Sequence, residues 1–582
     1  MIELDFRDGG ALPPDLLRRL DALADRDRDN FNRLIGELSH CRERDIDWWV
    51  SNPASRNVHI SCLFRQCMQL ALVRALLDEG NALRVLVSQP ELAGVLRQAG
   101  DRVTVVETGR FHARLKQARM HGWNVASSVF HTGSAVVAAK LTRHLRRPRR
   151  AGPIRLVDCY VTKDSFDRGV FRDRHFPGLM SVLSDEEREE VYYNPIVYRL
   201  RHYLGCFRAM RRDPGNFLVR EDFLRWADYR FAFGHWWRIR RLAGRQAEFA
   251  GFAIGPLVDR DLRNGRFAQS AVLALLLYRF FRHAGERGLR LSHVLTWYEG
   301  RDIDHAIAAA INWTGLPVDV AGFRPLASRF YLSVSPVRHE VQAGVVPRRM
   351  AVVGTRFRTE IAAVDRTLET SVAPGLRQSQ LPLLPRHREE GAPAVLVLLP
   401  LAREMVSRVR QLVVPTETEA RDGVRWWIKR HPEMPKAEFE TEFGTDLPPG
   451  FSFIEGNFQD WLSRASLVAG TATSTLIDAV GTGTPALCLA AGNEPTENPI
   501  PPWVDARLWR TCYSLEETRA CVQEMLGRGE TPVDLDQLQE DLFSPGRPER
   551  MGALLGFPPQ RPGEPGHIAL DEDRRAAVPP LR

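Results

Sequence analysis

Lysine is almost missing from this chain. Of 80 Lys and Arg residues in 582, only Lys116, Lys140, Lys163, Lys429 and Lys436 are lysine. Arginine supplies the rest, and against 72 acidic residues the formal charge is +8. Genome composition produces such a bias as readily as chemistry does, so the charge points only weakly to anionic partners. The eight cysteines include no CxxC pair and no Cys/His cluster at zinc spacing. That excludes a disulfide scaffold or zinc module and predicts reduced thiols in a cytoplasmic protein. No run reaches the ~18 apolar residues of a membrane span. The longest, residues 271–281, has the length of a core helix. Residues 1–8 (MIELDFRD) lack the basic start and apolar run of a secretory leader. Walker A and a post-strand Gly-x-Gly-x-x-Gly are missing, which argues against ATP and NAD enzymes. No RRM signature or zinc finger suggests nucleic acid as a partner. We read neither a Gly-x-Ser-x-Gly elbow nor an Asp-x-Asp of the metal-dependent glycosyltransferase kind, and expect no metal and no bound cofactor.

What is present is ordinary globular composition, 44% hydrophobic and 26% charged, in a chain long enough for at least two domains. Short β-branched runs alternate with helical patterns. Strands are expected at residues 46–50 (IDWWV), 83–88, 103–106, 154–161, 293–299, 318–322 and 349–354. Helices are expected at 63–78, 90–98 and 302–313. Residues 165–285 read as a largely helical insertion rich in aromatics and Arg. A polar, Pro-containing linker at 371–393 precedes a second unit, 394–543, with strands at 394–399, 424–429, 451–454, 466–469 and 486–489. From 544 a Pro- and Gly-rich tail without periodicity is expected to be flexible. The fold class is therefore α/β. Two Rossmann-like doubly wound domains face a cleft, the first (1–370) carrying the insertion.

Four segments could carry chemistry. Residues 468–485 (VAGTATSTLIDAVGTGTP) read as a strand, a turn of small residues and a helix starting near Ser474. Gly470 permits the turn, and Thr471, Thr473, Ser474 and Thr475 put hydroxyls beside free helix N–H groups, a phosphate site or simple N-capping. Residues 426–432 (WWIKRHP) deliver Lys429, Arg430 and His431 at a strand end, stopped by Pro432. His431 there could hydrogen-bond or protonate a phosphate leaving group. Glu299, just before Gly300 at another strand end, could act as a general base, or pair with Arg301 or Arg324. Asp302 is the better candidate to cap the next helix. After residues 46–50, Ser51, Ser55, Arg56 and Asn57 offer donors suited to a sugar or carboxylate acceptor, or a plain polar turn. Residues 164–167 and 254–259 are polar clusters without an assignable role. The basic run 143–150 could meet phosphates or remain a solvated helix end.

The order Glu299-Gly300, Ile-Lys-Arg-His-Pro at 428–432 and Thr-Ser-Thr at 473–475 resembles GT-B glycosyltransferases of bacterial surface carbohydrate synthesis. It is most similar to the capsule and lipopolysaccharide enzymes that use CMP-activated acidic sugars, the sialyltransferase and Kdo-transferase type. Residues 46–57 with Leu63-Phe64, and 164–167, look like a subgroup of surface carbohydrate biosynthesis proteins. The resemblance spans roughly residues 40–530. One acidic residue precedes Gly300 where that pattern often has two. The resemblance implies that Glu299 deprotonates the acceptor hydroxyl. It implies that His431 meets the donor phosphate, and that Ser474 and Thr475 bind the nucleotide phosphate. It further implies a nucleotide-sugar donor, a glycan or glycolipid acceptor and no metal at the reaction centre. A cytoplasmic protein, peripheral to the inner membrane through residues 143–150, is expected. Two other readings share the architecture: a nucleotide-sugar 2-epimerase-like isomerase, and a non-catalytic nucleotide- or glycan-binding component of polysaccharide assembly.

Overall fold

The computed structural model describes residues 1–558 except 148–151, 163–164, 168, 198–199, 201, 245, 326–329, 379–380, 382–390, 416–422, 529–532 and 545–548. Three parallel sheets organise them. The first is small, β1 (Ile2–Asp5), β2 (Leu83–Val87) and β3 (Val103–Glu107), in that order. The expected strands at 83–88 and 103–106 thus do not open the first Rossmann-like sheet. They pair with β1 instead, and the 32-residue helix Arg110–Leu141 carries the chain away from them.

The second sheet holds β4 (Ile154–Val161), β5 (Val191–Val197), β6 (Leu291–Trp297), β7 (Asp319–Arg324), β8 (Arg349–Val353) and β9 (Glu369–Ala373) in the order β9-β8-β7-β6-β4-β5. The third holds β10 (Ala394–Leu398), β11 (Arg425–Lys429), β12 (Phe451–Ile454), β13 (Leu467–Gly470), β14 (Ala486–Leu489) and β15 (Trp509–Cys512) in the order β12-β11-β10-β13-β14-β15. Every pairing in both is parallel. The central strands β4 and β10 are almost wholly buried, the mark of parallel strands covered by helices on both faces. These are two Rossmann-like domains with flanking helices and a large helical insertion, the GT-B arrangement. The sequence missed β15.

Several local expectations change. Residues 46–50 are not a strand: Ile46–Trp49 is a helical turn capped by the Asp45 carboxylate, which accepts from Asp47 N. Burial overrides the β-propensity of the two tryptophans. Both are fully buried, and their indole N–H groups donate to Ser39 Oγ (2.9 Å) and the Glu43 carbonyl (3.1 Å). The insertion is interrupted, because Val191–Val197 pairs with β4 as the edge of the second sheet. Its helices include Tyr203–Arg212, Trp226–Arg238, Gly255–Gly265 and Gln269–Arg282. Gln269–Arg282 is apolar nearly all round and packs on Asp302–Asn312, where Ala306, Ala308, Ala309 and Ala310 permit close approach. The first residues of the expected linker, 371–373, belong to β9, and 379–380 and 382–390 lie outside the described residues. Within the expected tail Glu549–Leu554 is helical, and 545–548 and 559–582 lie outside the described residues.

The chain knits these units together. After β15 it returns through the helix Leu535–Leu542, which packs on Thr355–Ala362 of the first domain and Thr475–Gly481 of the second. Thr355 Oγ1 donates to Asp541 Oδ1 (2.9 Å), and Gly375 N donates to the Phe543 carbonyl (2.7 Å). The small sheet is tied to the loop after β14, where Asn493 Nδ2 donates to the carbonyls of Asp5 (3.0 Å) and Arg7 (2.7 Å). Among the described residues no helix is long and apolar enough to cross a membrane.

Candidate functional site

In an open parallel sheet, ligands bind beyond the carboxyl ends of the strands, where the strand order reverses. The third sheet reverses between β10 and β13. From β13 the chain enters Gly470-Thr471-Ala472-Thr473-Ser474 and then the helix Thr475–Gly481. A Cβ on Gly470 would sit 3.0 Å from Thr473 Cγ2 and 3.2 Å from the Leu398 carbonyl oxygen at the end of β10, so the turn is tightly packed there. Ala472 holds a left-handed φ of 47°, a strained conformation for a residue with a Cβ. Thr473 and Thr475 hydroxyls bond each other at 2.7 Å. Ser474 is exposed and its side chain makes no cap bond, so its hydroxyl and the helix start face outward. Thr471 Oγ1 is buried without a partner.

Next to β10 on its other side, β11 ends in Lys429, Arg430, His431 and Pro432. Lys429 Nζ donates to the Gly456 carbonyl (2.6 Å), and Arg430 reaches the Met434 carbonyl and, at 3.7 Å, Glu455. Neither cation is directed at the Ser474 turn. His431 Nδ1 accepts from Glu433 N (3.2 Å). Burial, with Arg430 and Lys429 and against the pull of Glu433, holds its pKa below the ordinary value. The neutral imidazole therefore keeps its proton on Nε2 and presents a hydrogen-bond donor.

The second sheet reverses between β4 and β6, and Glu299 stands just beyond β6. Its Oε1 accepts from Trp297 Nε1 (2.9 Å), its Oε2 accepts from the Tyr331 hydroxyl (3.2 Å), and Arg301 pairs with it. Of the two expected pairings, Arg301 is the one formed. Arg324 turns away and donates to the Val334 carbonyl and Ser335 Oγ. Gly300 sits at φ +63°, and a Cβ there would overlap the Ser333 carbonyl. Asp304 closes the turn: its Oδ2 accepts from Glu299 N (3.0 Å) and Arg301 N (2.9 Å). Asp302, the expected cap, accepts instead from the adjacent Ile303 N (2.9 Å) and from the Ser270 side chain. Burial pushes the Asp304 carboxyl up to about 7.

Asp302-Ile303-Asp304 has bare Asp-x-Asp spacing. Both carboxylates are buried in the first helical turn. Among the described residues no group of three His, Cys, Asp or Glu could hold a metal ion.

Four residues around Glu299, namely His59, His175, Tyr331 and Arg377, carry no local sequence signal. His175 lies edge-on to Trp297 (4.5 Å) and beside Tyr160 (4.8 Å), with Nδ1 buried and unpartnered. Burial, then Arg377 and Arg301, lower its pKa to about 3. His59 packs edge-on against Tyr331 (4.6 Å), and its Nε2 lies 3.6 Å from Glu497 in the loop after β14. The same Arg377 bears on Asp478 of Thr475–Gly481, and its neighbour Gln378 donates to Asp478 Oδ1 (3.3 Å). The segment after β9 therefore joins the surroundings of Glu299 to the helix of the other domain. No local signal marks these residues, because contacts across the fold bring them in.

The expected acceptor group is placed differently. Ser51, Ser55, Arg56 and Asn57 are all buried. Ser55 Oγ donates to the Asn52 carbonyl (2.8 Å), and Asn57 Oδ1 accepts from His59 N (3.0 Å). Arg56 donates to both Glu340 oxygens (2.9 Å each), to Asn32 and to the carbonyls of Leu332 and Ser335. A guanidinium so engaged braces the segment 332–340 and has no donor left for a sugar. Asp164 and Arg149–Arg150 lie outside the described residues.

No protein-family model matches the sequence, and no curated protein matches it. Solved structures show likeness at low identity. UDP-GlcNAc 2-epimerase from Neisseria meningitidis bound to UDP-GlcNAc is 9% identical, with a TM-score of 0.37 over 69% of this chain and 97% of its own. The glycosyltransferase SnogD from Streptomyces nogalater is 13% identical, with a TM-score of 0.32 over 69% and 99%. Spinosyn rhamnosyltransferase SpnG is 12% identical, with a TM-score of 0.33 over 69% and 100%. Likeness at this level carries no weight for function, and the fold assignment rests on the strand order.

Proposed function

We propose that the protein is a metal-independent glycosyltransferase that moves a sugar from a nucleotide donor to a surface glycan or glycolipid. One observation carries this reading: Glu299 and the Thr473–Thr475 turn, chosen from sequence, each stand at the strand-order reversal of its own sheet. The nucleotide phosphate sits against the helix start at Ser474 and Thr475. Charge leaving with the phosphate is met by hydroxyls, helix N–H groups and the neutral Nε2–H of His431. Glu299 receives the acceptor proton once the acceptor hydroxyl displaces Tyr331 or Arg301 from its carboxylate. His59 and Tyr331, rather than Arg56, are the side chains suited to an incoming glycan. The motif order favours an acidic sugar such as Kdo or sialic acid, carried on CMP, as donor.

The test has two arms. In a thermal-shift panel of CMP, UDP, GDP and their sugars, CMP should raise the melting temperature most. Glu299→Gln should lower transfer by about 10²-fold or more while keeping that rise. Full transfer by the variant refutes the base assignment. An epimerised donor formed without acceptor reassigns the protein as an isomerase. Nucleotide binding without turnover makes it a binding component.

A further inference from the structure

The helix Arg110–Leu141 leaves an apolar flank uncovered. Its inner side is packed: Ala135, Ala138 and Ala139 are buried toward Tyr203–Arg212, and Ser128 Oγ donates to the Phe267 carbonyl (3.0 Å). Trp123, Phe130, Val137 and Leu141 recur at spacings of seven, seven and four, which places them in one stripe. They are 66%, 62%, 56% and 58% exposed. Charge on this element has one sign. Residues 108–157 contain no Asp or Glu but eleven Arg and Lys. Arg114, Lys116 and Arg119 lie exposed before the stripe, and Lys140, Arg143, Arg146 and Arg147 lie exposed after it.

We propose that this flank is a docking surface for an anionic lipid bilayer, with Trp123 and Phe130 at the headgroup level and the flanking cations on lipid phosphates. Charge complementarity selects the occupant. An exposed aromatic stripe between two cationic clusters matches an interface that is apolar below and negative above. The helix lies on the membrane and does not span it. This inference stands apart from the sugar-transfer reading.

The test is flotation of the full chain with phosphatidylcholine vesicles, with and without phosphatidylglycerol. Binding should require the anionic lipid and weaken with salt. Trp123→Ser with Phe130→Ser, and separately Arg143→Glu with Arg146→Glu, should each lower binding about tenfold or more. The substituted side chains are exposed, so melting temperatures should stay near wild type, confirming intact folds. Equal binding to both vesicles, or none, overturns the proposal. A dimer seen by light scattering that Trp123→Ser with Phe130→Ser dissociates, without flotation, assigns the flank to a second copy instead.

Discussion

Replacing Glu340 by Gln removes one charge from a pair that water does not reach. The side chains of Arg56 and Glu340 are 1% and 0% exposed. Burial alone would raise the Glu340 pKa, but Arg56, with His305 and His339, outweighs it and holds the carboxyl below its ordinary value. The Gln amide keeps one acceptor oxygen and turns an N–H group against the guanidinium. What remains is a buried cation with neutral partners, a loss of about 3–5 kcal/mol. With ~1.3 °C per kcal/mol for a unit of roughly 370 residues, the first domain should melt roughly 4–7 °C lower. Arg56→Met combined with Glu340→Leu removes both charges and should cost less than the two single changes summed. Calorimetry with chemical denaturation reads all four variants. The pH dependence has a definite sign. A depressed carboxyl stabilises the fold above the ordinary Glu range, and that contribution disappears as pH falls through the folded value. Glu340→Gln should therefore flatten the acid limb of the stability profile. A change under about 1 kcal/mol in Glu340→Gln, or additive costs in the double variant, would refute the brace. It would return Arg56 to ligand binding, where substitution raises KM and leaves melting unchanged.

Two further outcomes follow from the Glu299 turn. Gly300→Ala should lower melting sharply and abolish the site, because its Cβ would overlap the Ser333 carbonyl at a φ of +63°; near-wild-type melting would mean that the turn can open. Asp304 is held up to about 7, so the native state keeps a proton that the unfolded chain releases above the ordinary Asp range, and stability falls as pH rises toward 7. Asp304→Asn keeps an acceptor for Glu299 N and Arg301 N, and a melting-temperature series across that range should show the fall reduced.

Much of the architecture is legible in local pattern. Buried parallel strands such as β10 are continuous apolar runs, and the Gly470 turn announces itself by composition. Residues 46–50 mislead because aromatic content signals a strand, while the Asp45 cap and the burial of Trp48 and Trp49 decide for a helical turn. Residues 191–197 read as part of the insertion because an edge strand among helices carries little periodicity of its own. Half of the proposed site carries a local signal. Glu299, His431 and Ser474 follow strands and have turn chemistry around them. His59, His175, Tyr331 and Arg377 come together only through tertiary contact. Arg56 was misread for the opposite reason: beside polar residues it looks available, and its carboxylate partner lies 284 positions away.

The return of the chain through Leu535–Leu542 sets a schedule for synthesis. The first domain's last strand is complete at Ala373, yet the cover over Gly354 and Gly375 arrives with Asp541, Leu542 and Phe543. At about 5–20 residues per second, the 170 positions from 373 to 543 take roughly ten to thirty seconds to emerge. For that interval the nascent first domain exposes the seat on Thr355–Ala362 that Leu535–Leu542 later covers. A chain that stalls in the second domain leaves that seat open on an otherwise finished sheet, a surface chaperones can hold and neighbouring nascent chains can misuse.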